Sequence, residues 1–196
     1  MMRVVTAAVL VVALPAPAQA ADQILRFDST ATRVAFALEA TLHTAEGTLP
    51  MREGEIRVDL EGGTASGRLV FDATRAATGN EGRDRKMHEE VLESARYPEI
   101  VFTLSGMTAA IDGTGAGTVT LQGTLAIHGS EHPFTVTGRV RREGNNVVAE
   151  GGFTIPYVAW GMKDPSVFVM RVAKEVAVRF TAVGMLAPAR APDAAR

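Results

Sequence analysis

The stretch Thr78-Gly-Asn-Glu-Gly-Arg-Asp-Arg-Lys-Met-His-Glu-Glu-Val-Leu-Glu-Ser-Ala-Arg-Tyr-Pro-Glu-Ile-Val-Phe-Thr-Leu104 decides the fold. Before it the chain alternates apolar and polar residues in strand fashion, and after Tyr97-Pro98 it alternates again. Between the two blocks lies one amphipathic helix. Asn80 or Asp84 can cap it by accepting a bond from an orphan amide of the first turn. Arg85 and Glu89, and Lys86 and Glu90, stand four apart and can meet on an exposed face. Met87, Val91 and Leu92 form a narrow apolar stripe. Pro98 drives Tyr97 out of helical geometry and ends the helix before it. A lone helix with one stripe, set between two blocks of strands, lays that stripe over a sheet or across the end of a barrel.

Working outward, the strands come in hairpin order. Ile24–Asp28 and Thr32–Glu39 open the chain, followed by a weaker polar stretch over Thr41–Leu49. Gly54–Leu60 and Ala65–Thr74 then flank a turn at Glu61-Gly62-Gly63. After the insert come Glu99–Thr108, Thr118–Ile127, Phe134–Val140 and Val147–Ile155. The turns between them fall at Asp112–Gly115, His128–Pro133 and Gly144–Asn146. An irregular stretch, Pro156–Pro165, precedes a last strand or hairpin over Ser166–Val183 with a bend at Lys174-Glu175. Most of these strands have one apolar and one polar face. The expected fold is all-β, a closed antiparallel barrel of about eight strands with one helical insert, because closure satisfies every edge. A sandwich is the alternative.

Residues 1–20 read as a signal peptide: Arg3, an apolar run over Val4–Leu14, Pro15, and Ala18-Gln19-Ala20 with cleavage expected after Ala20. The domain then spans 21–186, and the Ala/Pro-rich segment 187–196 is a disordered tail. The expected location is periplasmic or secreted. No later segment has the length and apolarity of a membrane-spanning helix. An outer-membrane barrel is disfavoured, since one face of most strands is Arg, Asp, Glu, Thr or Gln. The formal charge of -2 gives no electrostatic case for nucleic acid. The absence of cysteine removes disulfides, thiolate metal sites and cysteine nucleophiles.

Several pieces resemble the YceI-like lipid- and polyisoprenoid-binding proteins. They are Ser29–Leu38, Thr78-Gly-Asn80 with Arg83-Asp84, and Tyr97-Pro98-Glu-Ile-Val-Phe102, then Gly123–Gly129 with Pro133, and Trp160-Gly161-Met162. Order and spacing hold from Ile24 to Met185. The resemblance implies an extended lipocalin-like barrel with a helix against it and an apolar lumen for a long isoprenoid or other amphiphilic lipid. It also implies no catalysis, no metal and no cofactor. Gly47-Thr48-Leu49-Pro50 and Leu92–Arg96 depart from the family pattern, both near the barrel ends.

The residues expected to line the lumen are Val34, Phe36, Leu38, Leu69, Phe71, Phe102, Leu104, Leu121, Leu125, Phe134, Val136, Phe153 and Trp160. Alternation is met equally well by a packed core; the resemblance tips the expectation to a cavity. A dozen buried methylenes give about 10 kcal/mol gross. Association costs roughly 4–15 kcal/mol, so long chains bind and short ones do not. Arg83, Arg85, Lys86 and His88 are the candidate headgroup contacts; the ordinary reading of the three cations is a solvated face. His128 and His132 lie four apart in an expected turn, without a third ligand for zinc. No nucleophile elbow, phosphate loop or dinucleotide fingerprint occurs. Two other readings stay open: a periplasmic stress or interaction protein with a filled core, and a small hydrolase or isomerase using His88 or His128. Oligomeric state is open, a homodimer included.

Overall fold

A computed structural model of the chain describes residues 22–59, 64–167 and 170–189. The expected signal peptide and the Glu61-Gly62-Gly63 turn lie outside the described residues. The strands are β1 (Gln23–Phe27), β2 (Arg33–Glu39), β3 (Thr44–Thr48), β4 (Met51–Asp59) and β5 (Thr64–Asp72). After the helix α1 (Glu81–Lys86) come β6 (Glu99–Ile111), β7 (Ala116–Ile127), β8 (Ser130–Glu143), β9 (Asn146–Ile155) and β10 (Val176–Pro188). Every pairing between them is antiparallel. Going round, β1, β4, β5, β6, β7, β8, β9 and β10 follow one another, and β10 returns to β1. The result is a closed eight-stranded, lipocalin-like barrel, with β2 and β3 extending its wall at the helix end.

Closure depends on a change of partner along β10. Its first half, Ala177–Thr181, pairs with β2; its second half, Gly184–Pro188, pairs with β1. At the seam the chain leaves the ladder through the turn Asp28–Thr32, so the peptide groups of Val183 lose their ladder partners. Asp28 N–H donates to Val183 O (2.8 Å), and Val183 N–H donates to Thr32 Oγ1 (3.2 Å). Thr32 is one of the few buried polar side chains, 5% exposed. Asp28 holds the turn itself: its Oδ1 accepts from Thr30 N, Thr30 Oγ1 and Ala31 N. Those bonds, the Thr30 hydroxyl first, hold its carboxyl below the usual range.

The helix is shorter than the sequence suggests. Asn80 is its cap, accepting from Arg83 N at 3.0 Å, while Asp84 turns back to take Thr78 N (2.8 Å) and the Thr78 hydroxyl. After Lys86 the backbone widens into a π turn over Met87–Val91, with Leu92 N–H bonded to Met87 O. The left-handed Glu93 (φ 45) then stops it. The expected pair Lys86–Glu90 is replaced: Glu90 bonds Lys163 (2.6 Å) and Lys86 Nζ donates to Pro165 O (3.2 Å).

Several contacts pin this insert across one barrel end. Thr48 and Ala77 exchange both backbone bonds, which covers the free edge of β3. His88 Nε2 meets Ala76 O and Nδ1 meets Ser94 Oγ, each at 2.9 Å. Tyr97 lies on the two-residue turn His128-Gly129, whose φ values are both positive (51 and 74), as a type I′ hairpin requires. A Cβ on Gly129 would sit 2.4 Å from Tyr97 Cε1. This turn is tighter than the expected His128–Pro133 loop: β8 already begins at Ser130, so His132 and Pro133 are strand residues. The last expected strand also differs. Ser166, Val167 and residues 170–173 form only isolated bridges, one of them between Val172 and Ala40 just past β2, and β10 reaches Pro188, two residues into the segment read as tail.

Two predictions follow from the seam and the pin. Thr32→Val keeps the shape and leaves Val183 N–H unpaired, so it lowers stability by about 1–3 kcal/mol in urea unfolding, and Thr32→Ser restores most of it. A variant as stable as wild type would show that Val183 has another partner. Gly144→Ala meets nothing within 4 Å at φ 64 and carries only the left-handed backbone cost, about 1–2 kcal/mol. Gly129→Ala adds the collision with Tyr97 and loses roughly 2–4 kcal/mol by the same measurement.

Candidate functional site

The barrel interior is packed at one end and hollow at the other. Near the helix, the inward side chains Ile100, Phe102, Leu104, Leu125, Ile127 and Ile155 are buried against one another and against Tyr157 and Met162. Toward the β6–β7 hairpin, the apolar side chains on the same inward rows, Leu121, Val136, Val140, Val147 and Phe180, stay only partly covered. Inward-facing apolar residues that no side chain covers mark open space.

Two cavities stand out among the described residues. The narrow one, about 170 Å³, lies under the insert and has an entirely apolar lining. Val34, Phe36, Leu38, Phe71, Leu125 and Phe153 line it, joined by the helical stripe Met87, Val91 and Leu92. The π turn brings 87, 91 and 92 to one cavity wall. The wide one, about 770 Å³, is lined by residues of β1, β4, β6, β7, β8, β9 and β10. Only the wide chamber falls in the range of roughly 300–1,000 Å³ typical of ligand sites.

Phenylalanines stand between the chambers. Phe102 meets Phe134 edge-on at 5.8 Å, Phe134 meets Phe153 at 4.9 Å, and Phe153 lies 6.2 Å from Phe180. Phe153 borders the narrow chamber and Phe180 the wide one. Phe180 lies flat against the wall because Gly138 and Gly151 face it: a Cβ would come within 3.3 and 2.7 Å of its Cζ. Those glycines keep the wide chamber open at its inner end. From Phe134 to Arg142 the wall runs eight residues along β8, or about 20 Å of depth at a usual strand rise and barrel tilt.

The sequence-derived lining is therefore divided. Val34, Phe36, Leu38, Phe71, Leu125 and Phe153 border the narrow chamber, and Leu121 and Val136 the wide one. Leu69, Phe102, Leu104, Phe134 and Trp160 pack in the core around them. The wide chamber also has walls that the sequence reading did not single out: Leu25, Phe27, Ile56, Val58, Met107 and Phe180. Alternation in β1, β4 and β10 signals their inward facing; nothing local signals that the space before them is empty.

The candidate headgroup contacts sit at the other end, on the insert. Arg83 is committed to Thr78, through Nε to Oγ1 (2.8 Å) and a terminal nitrogen to the carbonyl (3.0 Å). Lys86 and His88 hold the bonds given above, and Arg85 is exposed. His128 Nε2 lies 3.2 Å from Glu93 Oε1, with its ring 5.0 Å from that of Tyr97. His132 stacks on Trp160 at 4.1 Å with rings nearly parallel, which closes the packed end. Tyr157 donates to Ala173 O (2.8 Å); burial first, and then Asp164, push its phenol up to about 12. Of these, His128 ties the insert to the β7–β8 turn, Lys86 ties it to the 156–165 stretch, and His132 holds Trp160 against β8.

A YceI-like domain model matches residues 25–184, most of the chain. The chain belongs to the YceI-like domain family. Solved structures agree in fold. Burkholderia cenocepacia BcnA matches with a TM-score of 0.64 at 20% identity, covering 80% of this chain and 98% of that one. A polyisoprenoid binding domain from Saccharophagus degradans matches at 0.63 and 17% identity, covering 82% and 97%. The Campylobacter jejuni YceI protein matches at 0.51 and 13%, covering 77% and 88%. A curated relative, the UDP-N-acetylglucosamine 1-carboxyvinyltransferase of Gluconacetobacter diazotrophicus, is 46% identical over 46 residues only. The match spans 22% of this chain and 11% of that enzyme, too little to carry over its fold or reaction. Among the described residues, no helix of this YceI-like protein is long and apolar enough to cross a membrane.

The packed and hollow halves respond differently to truncation. Leu125→Ala removes a side chain that is buried in the core cluster beside the narrow chamber and costs about 2–5 kcal/mol. Leu121→Ala, on the neighbouring inward row of the same strand but facing open space, costs less than half as much. Parallel urea titrations check this, and equal losses would mean that the wide chamber is collapsed in solution.

Proposed function

We propose that this YceI-like protein is an exported, non-catalytic binding protein that holds a long isoprenoid or similar amphiphile in the wide chamber, as carrier, store or sequestering module. One observation carries the reading: an apolar row on each of seven strands faces about 770 Å³ of space that no side chain fills. Water there is poorly satisfied, and a chain of methylenes gains about 0.8 kcal/mol per CH2 on entering. The name of the Saccharophagus degradans relative supports an isoprenoid as the occupant. The leader read in residues 1–20 supports a periplasmic or extracellular setting.

Non-catalytic binding fits the chemistry of the interior. The histidines that an enzyme reading would use, His88 and His128, are spent on Ala76, Ser94 and Glu93 at the insert. Neither borders the chambers.

Ala149→Trp tests the reading, because Ala149 faces the wide chamber from β9. The indole projects into the chamber and narrows it across the path of a long chain, so binding of geranylgeraniol, followed by displacement of the neutral dye Nile red, weakens at least tenfold while the urea midpoint stays near that of wild type. Unchanged binding would remove the wide chamber as the site.

A further inference from the structure

The wide chamber has one polar end, and its polar residues are not those of the insert. On β8, Val136, Gly138, Val140 and Arg142 share one parity, and all four border the chamber. Arg142 is thus the charged last residue of an otherwise apolar inward row. Its neighbour Arg141 also reaches the rim but is held by carboxylates, Glu143 at 3.1 Å and Glu150 at 3.4 Å. Arg142 has no acidic partner among the described residues. Its Nε donates to Gly144 O (2.6 Å), which orients the guanidinium and leaves the terminal nitrogens for another acceptor. Its backbone N–H donates to Gly115 O (3.0 Å), fastening the β6–β7 hairpin to the same rim.

We propose that Arg142 binds an oxyanion head, a carboxylate or a phosphate monoester, of an amphiphile whose tail lies in the wide chamber and points toward the phenylalanines. The proposal rests on the lumen reading above and deepens it by naming the head and the direction of insertion. The opposite orientation buries a charged head against the phenylalanines at the inner end of the wide chamber, where the aromatic faces offer it no partner, at a heavy desolvation cost. A guanidinium fork matches a two-oxygen anion with parallel bonds. Asp112 stands on the same rim as an opposing charge. Its Oδ1 accepts from Thr114 N, Thr114 Oγ1 and Ala116 N, so it builds the turn, and an asparagine can make the same bonds. It weakens, without cancelling, the pull of Arg142 on an anion.

The test compares lipids that differ only in the head. Geranylgeranyl phosphate is set against geranylgeraniol, and oleate against oleyl alcohol, each displacing Nile red from wild type, Arg142→Gln, Arg142→Lys and Asp112→Asn. Wild type is expected to prefer at least one anion over its alcohol by tenfold or more, and whichever pair shows the preference tells phosphate from carboxylate. Arg142→Gln brings that ratio to within about threefold of unity with alcohol binding unchanged; Arg142→Lys keeps part of it; Asp112→Asn raises it. Equal binding of acid and alcohol by wild type overturns the proposal, as does a ratio that survives Arg142→Gln. If neither the alcohols nor the anions displace the dye, the lumen reading falls and the head assignment falls with it. Alcohol binding without head preference leaves the lumen reading standing and sinks only the assignment to Arg142.

Discussion

The barrel depends on a seam in which one strand serves two partners. β10 must pair with β2 over its first half and with β1 over its second, and the chain between those partners has to leave the ladder. A buried peptide group without a partner costs about 1–3 kcal/mol. Thr32 and Asp28 supply the missing bonds at Val183. With the seam satisfied the sheet has no open edge at its closing point, and strands as long as the 14 residues of β8 can stand without inviting another chain.

Closure creates an interior and the side chains decide how much of it remains. Large residues from several strands crowd the helix end, where the insert lays Tyr97 and the Met87–Leu92 stripe over the narrow chamber and the 156–165 stretch adds Trp160. Toward the β6–β7 hairpin the inward positions of the wall include Gly138, Ala109 and Ala149. Small residues there cannot reach the axis, so the space stays open. The phenylalanines between the two halves set the depth of the wide chamber. The division gives the barrel a direction, with an entirely apolar narrow chamber under the insert at one end and a wide chamber rimmed with charge at the other.

Much of this was legible before any coordinates. Period-two alternation with hairpin signals indicates an all-β fold with one helical insert, and the family pieces, from Ser29–Leu38 to Trp160-Gly161-Met162, place it. The reasons for those pieces emerge only in space. Tyr97 and Gly129 are 32 positions apart in the chain and form one contact. Asp84 with Thr78, and His88 with Ala76 and Ser94, fold the insert on itself. A histidine that reads as a surface group or a headgroup contact is a structural pin.

The sequence by itself determined which side chains face inward, because a strand's side chains alternate with a period of two and only one face is apolar. It also offered two caps for the helix, Asn80 and Asp84, and the structure chose Asn80 by turning Asp84 back onto Thr78. Only the tertiary structure decided the level at which each inward residue sits, and therefore whether it packs or borders a void. Leu121 and Leu125 have the same chemistry on the same strand, yet one is partly covered on the wall of the wide chamber and the other is buried in the core beside the narrow one. Empty volume is a property of side chains converging from strands distant in sequence, and a one-dimensional pattern carries no record of it.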